Sequence, residues 1–332
     1  MKYAIICLLL IVSQASLAQF KVEYIHSADD TRTFLRIDSE QHPQVAQHIN
    51  SIIQKDWGYN PGAKDPFENL SITEEADFQF DIGANNARVF SMIIMTSYAA
   101  AGLHIDRRQY HFDSRTGAPI NMNNLFGAEG QSKLKKALHK SWKAAIKTAA
   151  EDKNESRSSE YKDCLANDKN SEVEPERMII IDQGIQFWAG SCLEGTTYDF
   201  EADRGQGPHT YSLGQLLPML TPYGFSLFVD KSTAPLQTLL HGTVDGKYPI
   251  SVTLLPGKDP GTIGGMLVYD RIGEPLRIDG TMAGNQFKFH EMDPAGNPVS
   301  DIEVSWNGTK LTGSFINLKS KKQMPFEAAV VK

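Results

Sequence analysis

The chain has 332 residues, 41% of them hydrophobic and 22% charged, enough apolar material for two ordinary domains or one large one. That balance excludes a disordered, collagen-like or low-complexity chain, and no apolar run beyond the first twenty residues reaches membrane-spanning length. With 33 basic and 40 acidic side chains the net charge is −7, so the electrostatic footprint of a nucleic-acid binder is missing.

Lys2, the apolar run Ala4 to Val12 and the small residues Ser16 and Ala18 read as an export signal cleaved after Ala18. Its removal takes away Lys2 and leaves a mature chain of net charge −8 without a transmembrane segment. Cys7 lies early in the apolar run with no small-residue box before it, so a lipid anchor is not expected. Two cysteines remain, Cys164 and Cys192, and an even count in an exported chain predicts one disulfide; two buried thiols are the alternative. The bridge would close a loop of 29 residues, which chain entropy values at ~3.5 kcal/mol before any strain.

In chain order, Val22, Tyr24 and His26 alternate with polar residues, and Phe34, Arg36 and Asp38 follow a turn at Asp29-Asp30, giving a strand pair over 20–38. Val45, Ile49, Ile52 and Ile53 fall at helical spacing behind Pro43, a residue suited to a first turn. Strands are expected from Leu70 to Phe80, from Ala87 to Tyr98 and from Ile105 to Phe112. The near-continuous Val89–Met95 run suits a central strand covered on both faces. Leu134, Leu138, Trp142 and Ile146 mark one face of an amphipathic helix. The polar stretch 150–160 reads as loose chain. A hairpin is predicted around Asp182-Gln183-Gly184, and a short helix over Ser212–Leu220 with Ser212 as its cap.

Beyond about Leu239, short alternating runs recur every eight to twelve residues, separated by turns such as Asp245-Gly246, Ala283-Gly284-Asn285 and Asn307-Gly308. About eight strands in ~90 residues predict an antiparallel meander or small β-barrel. The expected fold class is therefore an α+β domain over 19–230, with helices packed on a mixed or antiparallel sheet. An all-β meander or barrel over 236–332 follows it, with the boundary in Lys231–Pro235.

Motifs for catalysis are missing. No serine has the Gly-x-Ser-x-Gly elbow, and no His-Glu-x-x-His helix occurs. Gly205-Gln206-Gly207 lacks the third glycine and following helix of a dinucleotide loop. His104 and His111 differ by an odd number, so on one strand they belong to opposite faces and a shared metal site would need a bulge between them. The expectation is no catalytic residue, no metal and no cofactor.

One block carries a family resemblance. Tyr98-Ala99-Ala100-Ala101-Gly102-Leu103-His104, Tyr110-His111-Phe112-Asp113, Thr116-Gly117 and Leu125-Phe126 ahead of a helix resemble the RsiV-like family of exported domains. Ile181–Phe187 is similar to that family's strand-Gly-strand hairpin and Tyr211–Leu217 to its closing helix, so the likeness spans roughly 20–230. Departures are Ala101 for the first Gly of Gly-Gly-Ala-His, Leu103 for its Ala, and Asn124 where Asp is common. The family includes the lysozyme-binding ectodomain of an anti-sigma factor and the non-catalytic half of a peptidoglycan deacetylase. The resemblance implies an exported binding protein whose partner is a lysozyme-type hydrolase or peptidoglycan itself. It argues against deacetylation, because Asp29-Asp30 has no paired histidines four residues apart to complete the metal site of the deacetylase's other domain.

Gly102, His104, Asp113, Thr116 and Gly117 are read as architectural: a permissive glycine, a histidine bonded to the adjacent turn, then a short acceptor, a hydroxyl and a second permissive glycine. Partner contact is expected instead in loops, around Glu151–Glu176 and Thr196–His209, with Tyr161, Tyr198 and Phe200 as aromatic anchors and Trp188 beside them. The alternatives are a wall-directed hydrolase with an unrecognised carboxylate site between the domains, and a structural envelope protein.

Overall fold

The computed structural model describes residues 19–72, 77–99, 103–152, 158–166, 177–187, 209–228, 239–257, 259, 261–272 and 274–330. Strands β1 (Lys21–His26) and β2 (Thr33–Asp38) form an antiparallel hairpin. Asp30 takes a positive φ of 56° in the turn, which a short polar side chain tolerates. Helix α1 (Pro43–Trp57) follows, with Pro43 in its first turn and Gly58 closing it in the left-handed region at φ 76°.

Strands β3 (Asp77–Asn85), β4 (Val89–Ala99) and β5 (Leu103–Asp113) form an antiparallel sheet in that order, with β4 central. Of the strand expected from Leu70, β3 carries the part from Asp77, whereas Leu70–Ile72 are not strand; the turns before them place Phe67 in the core, where Ile72 is buried as well. Phe90, Met92 and Ile94 pack with Ile49, Ile53 and Trp57 of α1 and with Phe34 of β2, while Ile93 meets Ile179 on the other face. That double coverage is what a near-continuous apolar strand requires.

Helices α2 (Met122–Leu125), α3 (Ala128–Glu151) and α4 (Ser158–Ala166) come next. The stretch 150–160, expected to be loose, is corrected at its described ends: α3 reaches Glu151, and α4, starting at Ser158, lies back on it through Tyr161, which sits in a cluster with Trp142, Ile146, Ala149 and Ala150. Strands β6 (Met178–Ile181), β7 (Gly184–Phe187) and β8 (His209–Ser212) make a second three-stranded antiparallel sheet. The short helix α5 (Leu213–Leu216) follows, and the Gln215 side chain accepts from both the amide and the hydroxyl of Ser212. A single 3₁₀ turn (Leu217–Met219) then leads to α6 (Pro222–Phe228).

The remaining strands close a barrel: β9 (Leu239–Val244), β10 (Tyr248–Pro256), β11 (Thr262–Tyr269), β12 (Glu274–Ala283), β13 (Gln286–Met292), β14 (Pro298–Trp306), β15 (Lys310–Asn317) and β16 (Gln323–Val330). Each pairs antiparallel with the next, and β16 pairs with β9. The structure is thus an α+β portion followed by a closed eight-stranded antiparallel barrel. Inward residues such as Ile250, Leu267, Ile278, Phe289, Ile302 and Phe326 fill it, leaving a side-chain core as barrels of this size do. Asp245 and Gly246 both take positive φ, 56° and 62°, as the two-residue turn between β9 and β10 demands.

The barrel is tied to the α+β portion at several points. Leu239 is buried with the α1 core and Leu255 with the α2–α3–α6 core, and Asn124 Nδ2 donates to the Pro256 carbonyl at 3.2 Å. No helix among the described residues is long and apolar enough to cross a membrane.

Candidate functional site

The amphipathic pattern that predicts α1 also leaves a second face. Val45, Ala46, Ile49, Ile53 and Trp57 enter the core, so the helical period places Gln44, Gln47, His48, Ser51, Gln54 and Lys55 along an adjoining stripe. This stripe forms one wall of a groove of about 990 Å³. The opposite wall is the outside of the barrel: His241 of β9, Ser251 of β10, Val268 of β11 and the following Asp270–Ile272. The groove is at the upper end of the volume range of small-molecule sites.

On the barrel wall Asp270 is a hub. Its Oδ1 accepts from Ser251 Oγ at 2.8 Å, and its Oδ2 lies 3.3 Å from His241 Nε2. Register brings the three together: Ser251 is opposite His241 on one side and Val268 on the other, and the Asp270 amide donates to the Pro249 carbonyl. In a nucleophilic relay the serine bonds the imidazole. Here the serine bonds the carboxylate and the imidazole only lies within ion-pair distance of it, so the cluster presents oriented polar groups and leaves the hydroxyl without an imidazole base.

On the helix wall several groups are already committed. Asn50 holds the exposed edge of β2, accepting from the Ile37 amide at 2.9 Å and donating to its carbonyl at 2.6 Å. Ser51 Oγ donates to the His48 carbonyl at 2.7 Å, and Arg36 is bound to Asp38 and Glu23. By contrast, the side chains of Gln44, Gln47 and Gln54 make no hydrogen bond among the described residues. Neither nitrogen of His48 has a partner there, although the residue is only 3% exposed. Burial depresses the His48 pKa to about 4, so the ring is neutral at ordinary pH, with one donor and one acceptor unused. Arg36, Lys55 and Arg271 face Asp38 and Asp270, a mixed lining without the excess of positive charge that a polyanion needs.

The motif residues lie beneath this helix. Asp113, fully buried at the end of β5, receives Arg115 at both oxygens (2.8 and 2.6 Å) and the Tyr223 hydroxyl at 3.2 Å. Burial, then Asp113, holds the Tyr223 hydroxyl well above the usual tyrosine pKa. Thr116 Oγ1 accepts from the Ala118 amide, and Gly117 sits at φ 74°. A Cβ on Gly117 would come within 3.0 Å of His48 Cδ2, so the turn abuts the buried histidine.

His111 is buried against Ser91, with Nδ1 2.9 Å from Oγ, and Ser91 Oγ also accepts from the Ile180 amide. This pair is sealed from solvent. His104 lies opposite Tyr98 in a β4–β5 register that runs without a shift, so no bulge brings positions 104 and 111 to one face. No group of three or more metal-ligating side chains occurs among the described residues.

Tyr161, expected as a contact residue, is a correction: it is 1% exposed and belongs to the α3–α4 core. Gly102, Trp188, Tyr198, Phe200 and Cys192 lie outside the described residues, and with Cys192 so does the predicted bridge to Cys164 of α4. The predicted export signal lies outside them as well. No motif search would have found the groove, since its helix wall is mostly glutamine and other ordinary surface residues and its barrel wall joins residues as far apart as His241 and Ile272. The signal that was available is the width of the polar stripe on α1. Neither family models nor curated proteins give a match to this chain.

Proposed function

We propose that this is an exported envelope protein that binds the glycan of the cell wall, non-catalytically, in the groove between α1 and the barrel. The observation that carries the reading is the groove itself, with the uncommitted amides of Gln44, Gln47 and Gln54 along one wall and the Ser251–Asp270–His241 cluster on the other. Side-chain amides, a carboxylate and hydroxyls match a ligand rich in hydroxyl and acylamino groups, and the near-balanced charge suits a neutral polymer. The export signal and the resemblance to the RsiV-like family support an envelope setting and a wall-related partner.

Co-sedimentation with purified insoluble peptidoglycan tests it. The chain should pellet with the wall and be released by soluble wall glycan. If it stays in the supernatant but slows lysozyme turnover, the hydrolase-binding alternative replaces this reading. Release of soluble fragments from the wall by the purified chain would replace it with the hydrolase alternative.

A further inference from the structure

We propose that one end of the barrel docks on an anionic phospholipid bilayer, with Ile272 and Tyr248 entering the interface and the basic side chains beside them meeting lipid phosphates. This goes beyond the glycan reading and does not rest on it: the lipid surface is met by the turns at the barrel's end, not by the polar walls of the groove.

Antiparallel connectivity puts the turns that follow β9, β11, β13 and β15 at the same end of the barrel. Backbone hydrogen bonds lace their bases together. The Asp245 amide donates to the Pro325 carbonyl at 2.9 Å, and the Asp270 amide to the Pro249 carbonyl at 3.0 Å. The buried seam with the α+β portion, through Leu239 and Leu255, belongs to the opposite end of β9 and β10.

Two neighbouring turns of this end carry apolar tips. Ile272 is 71% exposed and Tyr248 50%, the two most exposed large apolar side chains among the described residues. A single such residue is ordinary surface, but a pair on adjoining turns is a patch. Tyrosine, with an apolar ring and a polar hydroxyl, suits the headgroup level of a bilayer.

Charge supplies the second, independent pointer. In a chain of net charge −7, the same turns present Lys247, Arg271, Lys319, Lys321 and Lys322, all exposed. Arg271, Lys319 and Lys321 make no ion pair among the described residues. Lys321 is held on its turn at φ 58° by its amide, which donates to the Asn317 carbonyl at 2.8 Å. The aspartates of these turns serve internal bonds: Asp245 takes Lys247 and Lys322, Asp270 accepts from Ser251, and Asp293 accepts from the Asn297 amide. Cations alone would suit any polyanion, and apolar tips alone any protein. Side by side they fit phosphates lying above hydrocarbon. The basic face of α3 is the contrast, since Lys136 and Lys140 are exposed there without a large exposed apolar side chain.

The test is co-sedimentation of residues 19–332, the expected mature chain without its apolar leader, with sucrose-loaded vesicles. The vesicles are phosphatidylcholine alone, or the same lipid with about one-third phosphatidylglycerol. Binding should be at least about tenfold tighter to the anionic vesicles, and that margin should vanish at ~0.5 M salt. Ile272→Ser should weaken it about tenfold, and Lys319→Gln combined with Lys321→Gln about twentyfold. These are exposed turn positions, so urea unfolding of both variants should match the unsubstituted chain. Lys136→Gln combined with Lys140→Gln on α3 should bind as the unsubstituted chain does. Ile272→Trp should show a blue shift of its emission on the anionic vesicles alone.

Equal binding to both vesicle types, undiminished binding in both barrel variants, or loss confined to the α3 variant overturns the proposal. So does failure to pellet with any vesicle, and self-association lost in Ile272→Ser would then assign the patch to a second copy of the chain. The vesicles carry no wall glycan, so failure to pellet with peptidoglycan is a separate result and leaves this one standing.

Discussion

Acid should unfold this protein through two buried histidines before it does so through its carboxylates. His48 and His111 are 3% and 6% exposed, and burial depresses both to a pKa of about 4, partly offset at His111 by the Met178 carbonyl. In the unfolded chain both titrate near 6.5. The unfolded state thus binds more protons between the two values, so stability is complete above about pH 6.5 and falls as pH drops towards 4. At pH 5 each histidine should have removed about 2 kcal/mol and the pair about 4, a large share of a typical domain's stability. His209, partly buried, shifts in the same direction. Surface carboxylates held low, such as Asp29 at about 2, release their contribution only at more acidic pH. Urea unfolding followed by tryptophan fluorescence, with Trp57 and Trp142 both buried, measures stability at each pH. His48→Gln keeps a polar group but removes the proton site, so it should flatten the slope between pH 6 and 5 by about 1.2 kcal/mol per unit whatever it does to absolute stability. An unchanged slope in both His48→Gln and His111→Asn would refute the reasoning.

Other substitutions test the packing. Gly130 lies in α3, where alanine would ordinarily help by about 1 kcal/mol, but a Cβ there meets the Met219 carbonyl oxygen at 2.1 Å; Gly130→Ala should therefore lose about 1–3 kcal/mol in urea unfolding. Asp113→Asn leaves Arg115 and Tyr223 facing a neutral amide and should cost about 3 kcal/mol, moderated because the Arg115 side chain is 30% exposed. Leu255→Ala opens a cavity where the barrel meets the α2–α3–α6 core, with an expected loss of about 2–5 kcal/mol in the same assay. If instead only the barrel's own transition shifts, the two parts unfold independently and the seam is weaker than its burial implies.

Most of the architecture was readable because it rests on short-range rules. The spacing of Val45, Ile49 and Ile53 gives α1, the Val89–Met95 run gives a strand covered twice, and turn pairs such as Asp245-Gly246 punctuate the barrel. What escaped depends on distant partners. Tyr161 reads as an isolated aromatic until α4 folds back on Trp142. Strand β8 is four residues whose only reason to extend is β7 beside it, and α6 begins with proline and contains glycine. The groove was hidden for a related reason: glutamine on a helix is ordinarily solvated surface, and Ser251, Asp270 and His241 meet only once the meander is in register. The Asp113–Gly117 turn was visible as turn chemistry, but its contact with His48 was not, since seventy residues separate them.

The pairing of β16 with β9 has a further consequence. Every other strand of the barrel finds its partner in the next few residues of chain, whereas β9 keeps one bare edge until Gln323–Val330 is made, more than eighty residues later. During synthesis, that edge and the final strand are both open to pairing with other chains. Loss of the last eight barrel residues would thus not merely trim the fold but turn a sealed cylinder into an open sheet with two sticky borders, and aggregation would be its mark.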